Sequence, residues 1–208
     1  MHALYARAEF LCAAARDGQF PPDEGAEVAF GGRSNAGKSS AINAVTGTRA
    51  LARTSRTPGR TRQINFFRLD DARRLVDLPG YGYAQAPAGA RREWLQVVDQ
   101  YLAARRSLRG VVLLMDVRRP FTSLDEVFFG QCIRAGRALC VVLTKADKLS
   151  RARAQDALAQ ARRRIEGAPL SPEVMLFSAA RRSGVEELRE HIARWLEWSA
   201  GAPAARRR

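Results

Sequence analysis

The sequence predicts an α/β protein: a mostly parallel sheet with helices on both faces and one antiparallel hairpin at its edge. Three observations predict it. The wholly apolar runs "GVVLLMD" (110–116) and "ALCVVLT" (138–144) read as strands buried on both faces. Segments with helical apolar spacing lie between the strand-like runs. Every unusual turn follows a strand, where open α/β sheets gather their ligands.

The elements follow in chain order. "MHALYARAEFLCAAA" reads as an amphipathic N-terminal helix within an arm spanning 1–24; its Arg and Glu argue against a signal peptide. "EVAF" (27–30) is a strand running into glycines, and "GKSSAINAVTG" is a helix stopped by Gly47. Residues 48–62 form a long basic loop, a length that points to function rather than mere connection. "QINFFRL" (63–69) and "RRLVDL" (73–78) form the hairpin. "RREWLQVVDQYLAA" places Trp94, Leu95, Val98, Tyr101 and Leu102 on one helical stripe. A Ser123/Glu126 capping box opens the next helix. A helix through 151–166 and the strand "EVMLF" (173–177) come next. The last helix opens with a second box, Ser183/Glu186, and buries Val185, Leu188, Ile192, Trp195 and Leu196. One domain is expected over 25–199, followed by a disordered Arg-rich tail at 200–208.

The formal net charge is +14. It favours a polyanionic partner, RNA foremost, although a basic bias that only aids solubility gives the same number. Nearly all the cations are arginines; the lysines are Lys38, Lys145 and Lys148 alone. Positions that keep lysine in such a chain point to a need for a compact ammonium. Cys12, Cys132 and Cys140 show no ligand spacing and read as buried hydrophobes in a reducing compartment. No apolar run approaches the roughly 18 residues of a membrane span, so the expectation is a cytoplasmic protein with no membrane insertion.

Three motifs carry chemistry. "GRSNAGKS" (Gly32, Arg33, Ser34, Asn35, Ala36, Gly37, Lys38, Ser39) fits a phosphate loop between a strand and a helix. Its backbone N–H groups converge on phosphate oxygens, Lys38 binds the β- and γ-phosphates, and the Ser39 hydroxyl ligates Mg²⁺. In "DLPG", Asp77 closes a strand and reaches the Mg²⁺ through water; Leu78 and Pro79 shape the turn, and Gly80 offers its N–H to the γ-phosphate. In "TKAD" (Thr144, Lys145, Ala146, Asp147), the Asp147 carboxylate matches the N1 and 2-amino donors of guanine and leaves adenine unmatched. The Lys145 stem packs on the base. Phe177, Ser178 and Ala179, at the end of "EVMLF", close over the base edge. Guanine selectivity argues against an ATP-using kinase. With these motifs in this order the chain resembles a small GTPase, which implies a P-loop NTPase fold of the Ras-like GTPase kind.

The chain further resembles the EngB/YihA family of bacterial ribosome-associated GTPases, through "FGGRSNAGKSSAINAV", "TSRTPGRTRQINFF", "LVDLPGYGYA" and "TKADK" over roughly 25–198. The resemblance implies a monomeric GTP-binding protein that assists assembly of the large ribosomal subunit and is needed for normal division and septation. It also implies Ser39 and Thr61 as Mg²⁺ ligands, and Gly59, Arg60, Thr61, Arg62 and Gln63 as the switch segment over the phosphates. Lys38, Thr61 and Gly80 are the candidate catalytic residues.

Tyr81 stands where Ras-like proteins carry the glutamine that orients water, so slow intrinsic hydrolysis is expected. Direct participation of Tyr81 and a packing role both remain open. Asn35 stands where some related GTPases help bind K⁺, and K⁺ stimulation is the corresponding hypothesis. Arg49, Arg53, Arg56, Arg60 and Arg62, with Arg91, Arg92, Arg118 and Arg119, would form a basic collar contacting rRNA phosphates, without DNA specificity. The competing reading is a basic rRNA-binding protein whose nucleotide site is mainly structural.

Overall fold

The computed structural model describes residues 2–52, 63–82 and 88–198. After one helical turn, α1 (His2–Tyr5), come β1 (Glu9–Ala14), β2 (Ala26–Gly32), α2 (Lys38–Thr46), β3 (Ile64–Arg68) and β4 (Arg73–Asp77). They are followed by α3 (Ala88–Ala104), β5 (Leu108–Asp116), α4 (Ser123–Arg134), β6 (Ala138–Thr144), α5 (Arg151–Ile165), β7 (Glu173–Leu176) and α6 (Val185–Trp195). The strands form one sheet in the order β1-β3-β4-β2-β5-β6-β7. Strands β4, β2, β5, β6 and β7 run parallel, and β3 is antiparallel to both β4 and β1. The α/β architecture is therefore the one the sequence predicts.

Alternation along the central strands sorts the core into two layers. Val112 and Leu114 of β5, with Cys140 and Val142 of β6, face Ile42, Val45, Leu188 and Ile192 of α2 and α6. Val111, Leu113, Met115, Val141 and Leu143 face Val98, Tyr101, Phe128 and Leu158 of α3, α4 and α5.

Three local expectations are corrected. The N-terminal helix is a single turn, and residues 9–14 form the edge strand β1. Pairing with β3 supplies the backbone partners there, and Phe10 packs edge-on against Phe67 at 6.2 Å. The cap of α4 is Thr122/Asp125 rather than Ser123/Glu126, because Thr122 is the last residue with extended backbone. Gly184, at φ 75°, starts α6, so Ser183 does not cap it. The Ser183 carbonyl instead accepts the N–H of Ser178 at 3.0 Å.

At the amino edge of the sheet, fully buried Glu27 holds four donors. Arg74 Nε lies 2.8 Å and Arg105 Nη2 2.7 Å from one carboxylate oxygen; Tyr101 Oη and Arg105 Nε lie 2.9 and 3.0 Å from the other. A buried carboxylate is tolerable only with such compensation. This cluster fastens the carboxyl end of α3 to β2 and β4, opposite the edge where the motifs lie.

Candidate nucleotide-binding site

β2 ends at Gly32, and the chain turns through Arg33–Gly37 before Lys38 opens α2. The turn needs left-handed backbone at Asn35 (φ 63°), a residue type that tolerates it, and at Gly37 (φ 94°), which glycine adopts without strain. It thus places the amino end of α2, where a helix favours anions, along a cleft of about 1060 Å³. Lys38 and Ser39 line that cleft, as do Asp77 and Gly80 from the end of β4. The Lys38 ammonium is ion-paired with the Asp77 carboxylate, and both side chains are nearly buried. The sequence motifs therefore meet in space: a cation shaped for phosphate lies beside a carboxylate shaped for a metal.

The TKAD loop is fastened to the phosphate loop at two points. Buried Thr144 donates its hydroxyl to the Ala36 carbonyl at 2.5 Å. Lys145, in left-handed backbone at φ 59°, donates its ammonium to the Asn35 carbonyl at 2.7 Å and to Asp116 at 3.0 Å. Arg118 grips the same Asp116 carboxylate through Nε at 2.9 Å and Nη2 at 2.7 Å. The Arg118 bonds, with Lys145 adding to them, hold that carboxyl well below its usual range. Arg118 is thereby ion-paired beside the site, with about half of its side chain still exposed.

Asp147 accepts the Ser178 hydroxyl at 2.5 Å, and Ser178 in turn accepts the Arg181 N–H at 3.1 Å. The Ser178 bond is the main reason the Asp147 carboxyl lies below its usual range, with Lys148 adding to it. Ala146 N–H donates to the Phe177 carbonyl at 3.1 Å, joining the two loops that would flank a base. The side chains of Ala36, Leu78 and Phe177 are buried in the core, so any ligand contact from them is through backbone. Gln63 lines the cleft. Gly59, Arg60, Thr61 and Arg62 lie outside the described residues, as do Arg53, Arg56, the side chains of Arg91, Arg92, Trp94 and Leu95, and the tail at 200–208.

Tyr81 is buried and points away from the cleft. Its hydroxyl donates to Asp125 at 2.8 Å, and its ring stacks on Phe128 at 5.2 Å and 25°. Sequence reasoning missed that partner. It also missed Asn43, whose amide pairs with both the N–H (2.8 Å) and the carbonyl (2.9 Å) of Ala52 and so fixes the start of the loop after α2. Neither pairing follows a local sequence pattern: Tyr81 and Asp125 lie 44 positions apart, and Asn43 and Ala52 lie 9 apart.

The donor chemistry suits Mg²⁺. Ser39 and Asp77 offer hard oxygens beside the phosphate loop, and the described residues contain no cluster of three or more His, Cys, Asp or Glu that could cage a metal alone. Mg²⁺ is commonly held in this way, by one or two protein oxygens together with substrate phosphates.

Fold and site together define a P-loop GTPase. A model of the 50S ribosome-binding GTPase family matches residues 27–145. The probable GTP-binding protein EngB of Methylococcus capsulatus is 58% identical over 179 residues, covering 85% of each chain. That of Nitrosococcus oceani is 48% identical over 196 residues, covering 94% of this chain and 98% of its own. The crystal structure of a probable GTP-binding protein engB superposes with a TM-score of 0.67 at 21% identity, over 83% of this chain and 99% of the other, a likeness of fold. The chain belongs to the EngB family of GTP-binding proteins and is a GTPase.

Proposed function

We propose that this GTPase is a slow switch in the assembly of the large ribosomal subunit. The observation that carries the slow rate is the placement of Tyr81: its phenol is committed to Asp125, so no side chain at that position orients water. Lys38 binds the β- and γ-phosphates, Gly80 N–H contacts the γ-phosphate, and Asp147, preset by Ser178, reads guanine. Ser39 and Asp77 would hold Mg²⁺, with Thr61 as the further ligand the family resemblance implies; that ion neutralises charge on the phosphate oxygens. Asn35, left-handed and bonded through its carbonyl to Lys145, is the proposed K⁺ contact.

The family description and the net charge of +14 support a ribosomal RNA partner. Arg49, which lines the cleft, and the exposed arginines of α5 supply phosphate contacts. The protein acts as a cytoplasmic monomer, and dependence of septation on it follows from ribosome supply. Co-sedimentation with large subunits tests this reading. Binding in a non-hydrolysable GTP analogue but not in GDP is expected; equal binding in both would favour a merely structural nucleotide site.

A further inference from the structure

Between the nucleotide edge and α4 lies a contact that the nucleotide chemistry does not use. The turn after β4 is laid along the phosphate loop by backbone bonds. Leu78 N–H reaches Phe30 O at 3.0 Å, Tyr81 N–H reaches Gly32 O at 3.3 Å, and Ser34 N–H reaches Tyr81 O at 2.8 Å. Gly80 consequently sits so close that a side chain there would touch the Ser34 backbone at 3.3 Å.

The Tyr81 side chain leaves this turn in the opposite direction and is gripped by α4. Its ring lies on Phe128, whose own ring fills the space above Gly31, where an added Cβ would come within 2.5 Å of it. Its hydroxyl meets Asp125, which is 1% exposed. Among the described residues Asp125 has no ion-pair partner. Its carboxylate takes the Tyr81 hydroxyl on one oxygen and, on the other, the Thr122 N–H at 2.9 Å and hydroxyl at 2.7 Å, at the positive end of α4. Burial, with Asp125 adding to it, pushes the phenol far above its usual range, so it remains a donor.

We infer that Asp125 is a positioning residue for GTP: through Tyr81 it holds the Asp77–Gly80 turn against the phosphate loop, where a γ-phosphate and its metal are read. A charge-assisted bond to a buried acceptor is among the stronger hydrogen bonds, and the acceptor is left unmatched when its donor goes. The inference rests on GTP binding at this site. It predicts that the latch affects the ligand that touches the turn and spares the one that does not.

The test is fluorescence titration of the full chain with a non-hydrolysable GTP analogue in Mg²⁺ and, separately, with GDP. The variants are Tyr81→Phe, which keeps the ring and its stacking, Asp125→Asn, and the double variant. Affinity for the analogue should fall about tenfold in Tyr81→Phe, a change of 1.4 kcal/mol, while GDP affinity stays within twofold. The double variant should lose no more than the weaker-binding single variant. Thr122→Val, which weakens the cap of α4 but leaves the phenol its acceptor, should lower the melting temperature without changing the ratio of the two affinities. Equal losses for both nucleotides, no loss for either, or tighter analogue binding in Tyr81→Phe would each overturn the inference. Failure of the wild-type chain to bind the analogue would instead overturn the reading of the site itself.

Discussion

Replacing Thr144 by valine asks how much of the affinity for nucleotide depends on the tie between the TKAD and phosphate loops. The substitution keeps the branched shape and removes one hydroxyl, which is 2.5 Å from Ala36 O and 3.1 Å from Met115 O. A methyl group cannot approach a carbonyl that closely. The loop must open by about 0.8 Å to reach an ordinary carbon–oxygen contact of about 3.3 Å. The Ala36 carbonyl also loses its donor in a buried setting, at a cost of about 1–3 kcal/mol. If the loosened loop must be re-ordered when phosphate binds, about half of that cost, about 0.5–1.5 kcal/mol, appears in affinity, and GDP binds about two- to tenfold more weakly. The weakening should be seen as faster dissociation of a fluorescent GDP analogue chased with unlabelled GDP. Thr144→Ser, which keeps the hydroxyl, should restore the wild-type rate. Unchanged dissociation in a normally folded Thr144→Val protein would refute the argument that this hydroxyl organises the phosphate loop.

Other outcomes follow from the same geometry. Asp147→Asn should move preference from guanine to xanthine nucleotides, measured by competitive titration. Because Ser178 holds the Asp147 carboxyl below its usual range, guanine affinity is fully present above the ordinary aspartate pKa of about 3.9 and is lost only as pH falls through the lowered value. Ser178→Ala should shift that acid limb upward in a pH titration of GDP binding. Glu27→Gln leaves Arg74 and Arg105 without their anion and should cost about 3–5 kcal/mol, seen as a melting temperature lower by roughly 10 °C. Hydrolysis should be faster in K⁺ than in Na⁺ buffer; equal rates would reject Asn35 as a cation contact.

What could be read in advance was what depends on neighbours in the chain. Apolar runs marked β5 and β6, and the glycine, lysine and carboxylate spacings marked three strand ends whose loops now face one cleft or its border. Contacts made across the sheet left no such trace. Glu9–Ala14 became a strand because β3 had an edge to offer, which no local propensity in an alanine-rich segment records. Both Thr122-x-x-Asp125 and Ser123-x-x-Glu126 satisfy the capping pattern, and only the entry of the chain from Phe121, at φ 54°, selects the first. Tyr81 raised the question of its role in the sequence; the answer lay in Asp125, on another element.

The buried Glu27 cluster has a mechanical consequence. Tyr101 and Arg105 nail one end of α3 to the far side of the sheet, whereas its other end starts a few residues beyond Gly82. A helix of 17 residues is about 25 Å long, so a tilt of about 10° around that nail would carry its amino end about 4 Å. A displacement beside the phosphates would thus be taken up as rotation of α3 about Glu27, leaving the far side of the sheet in place.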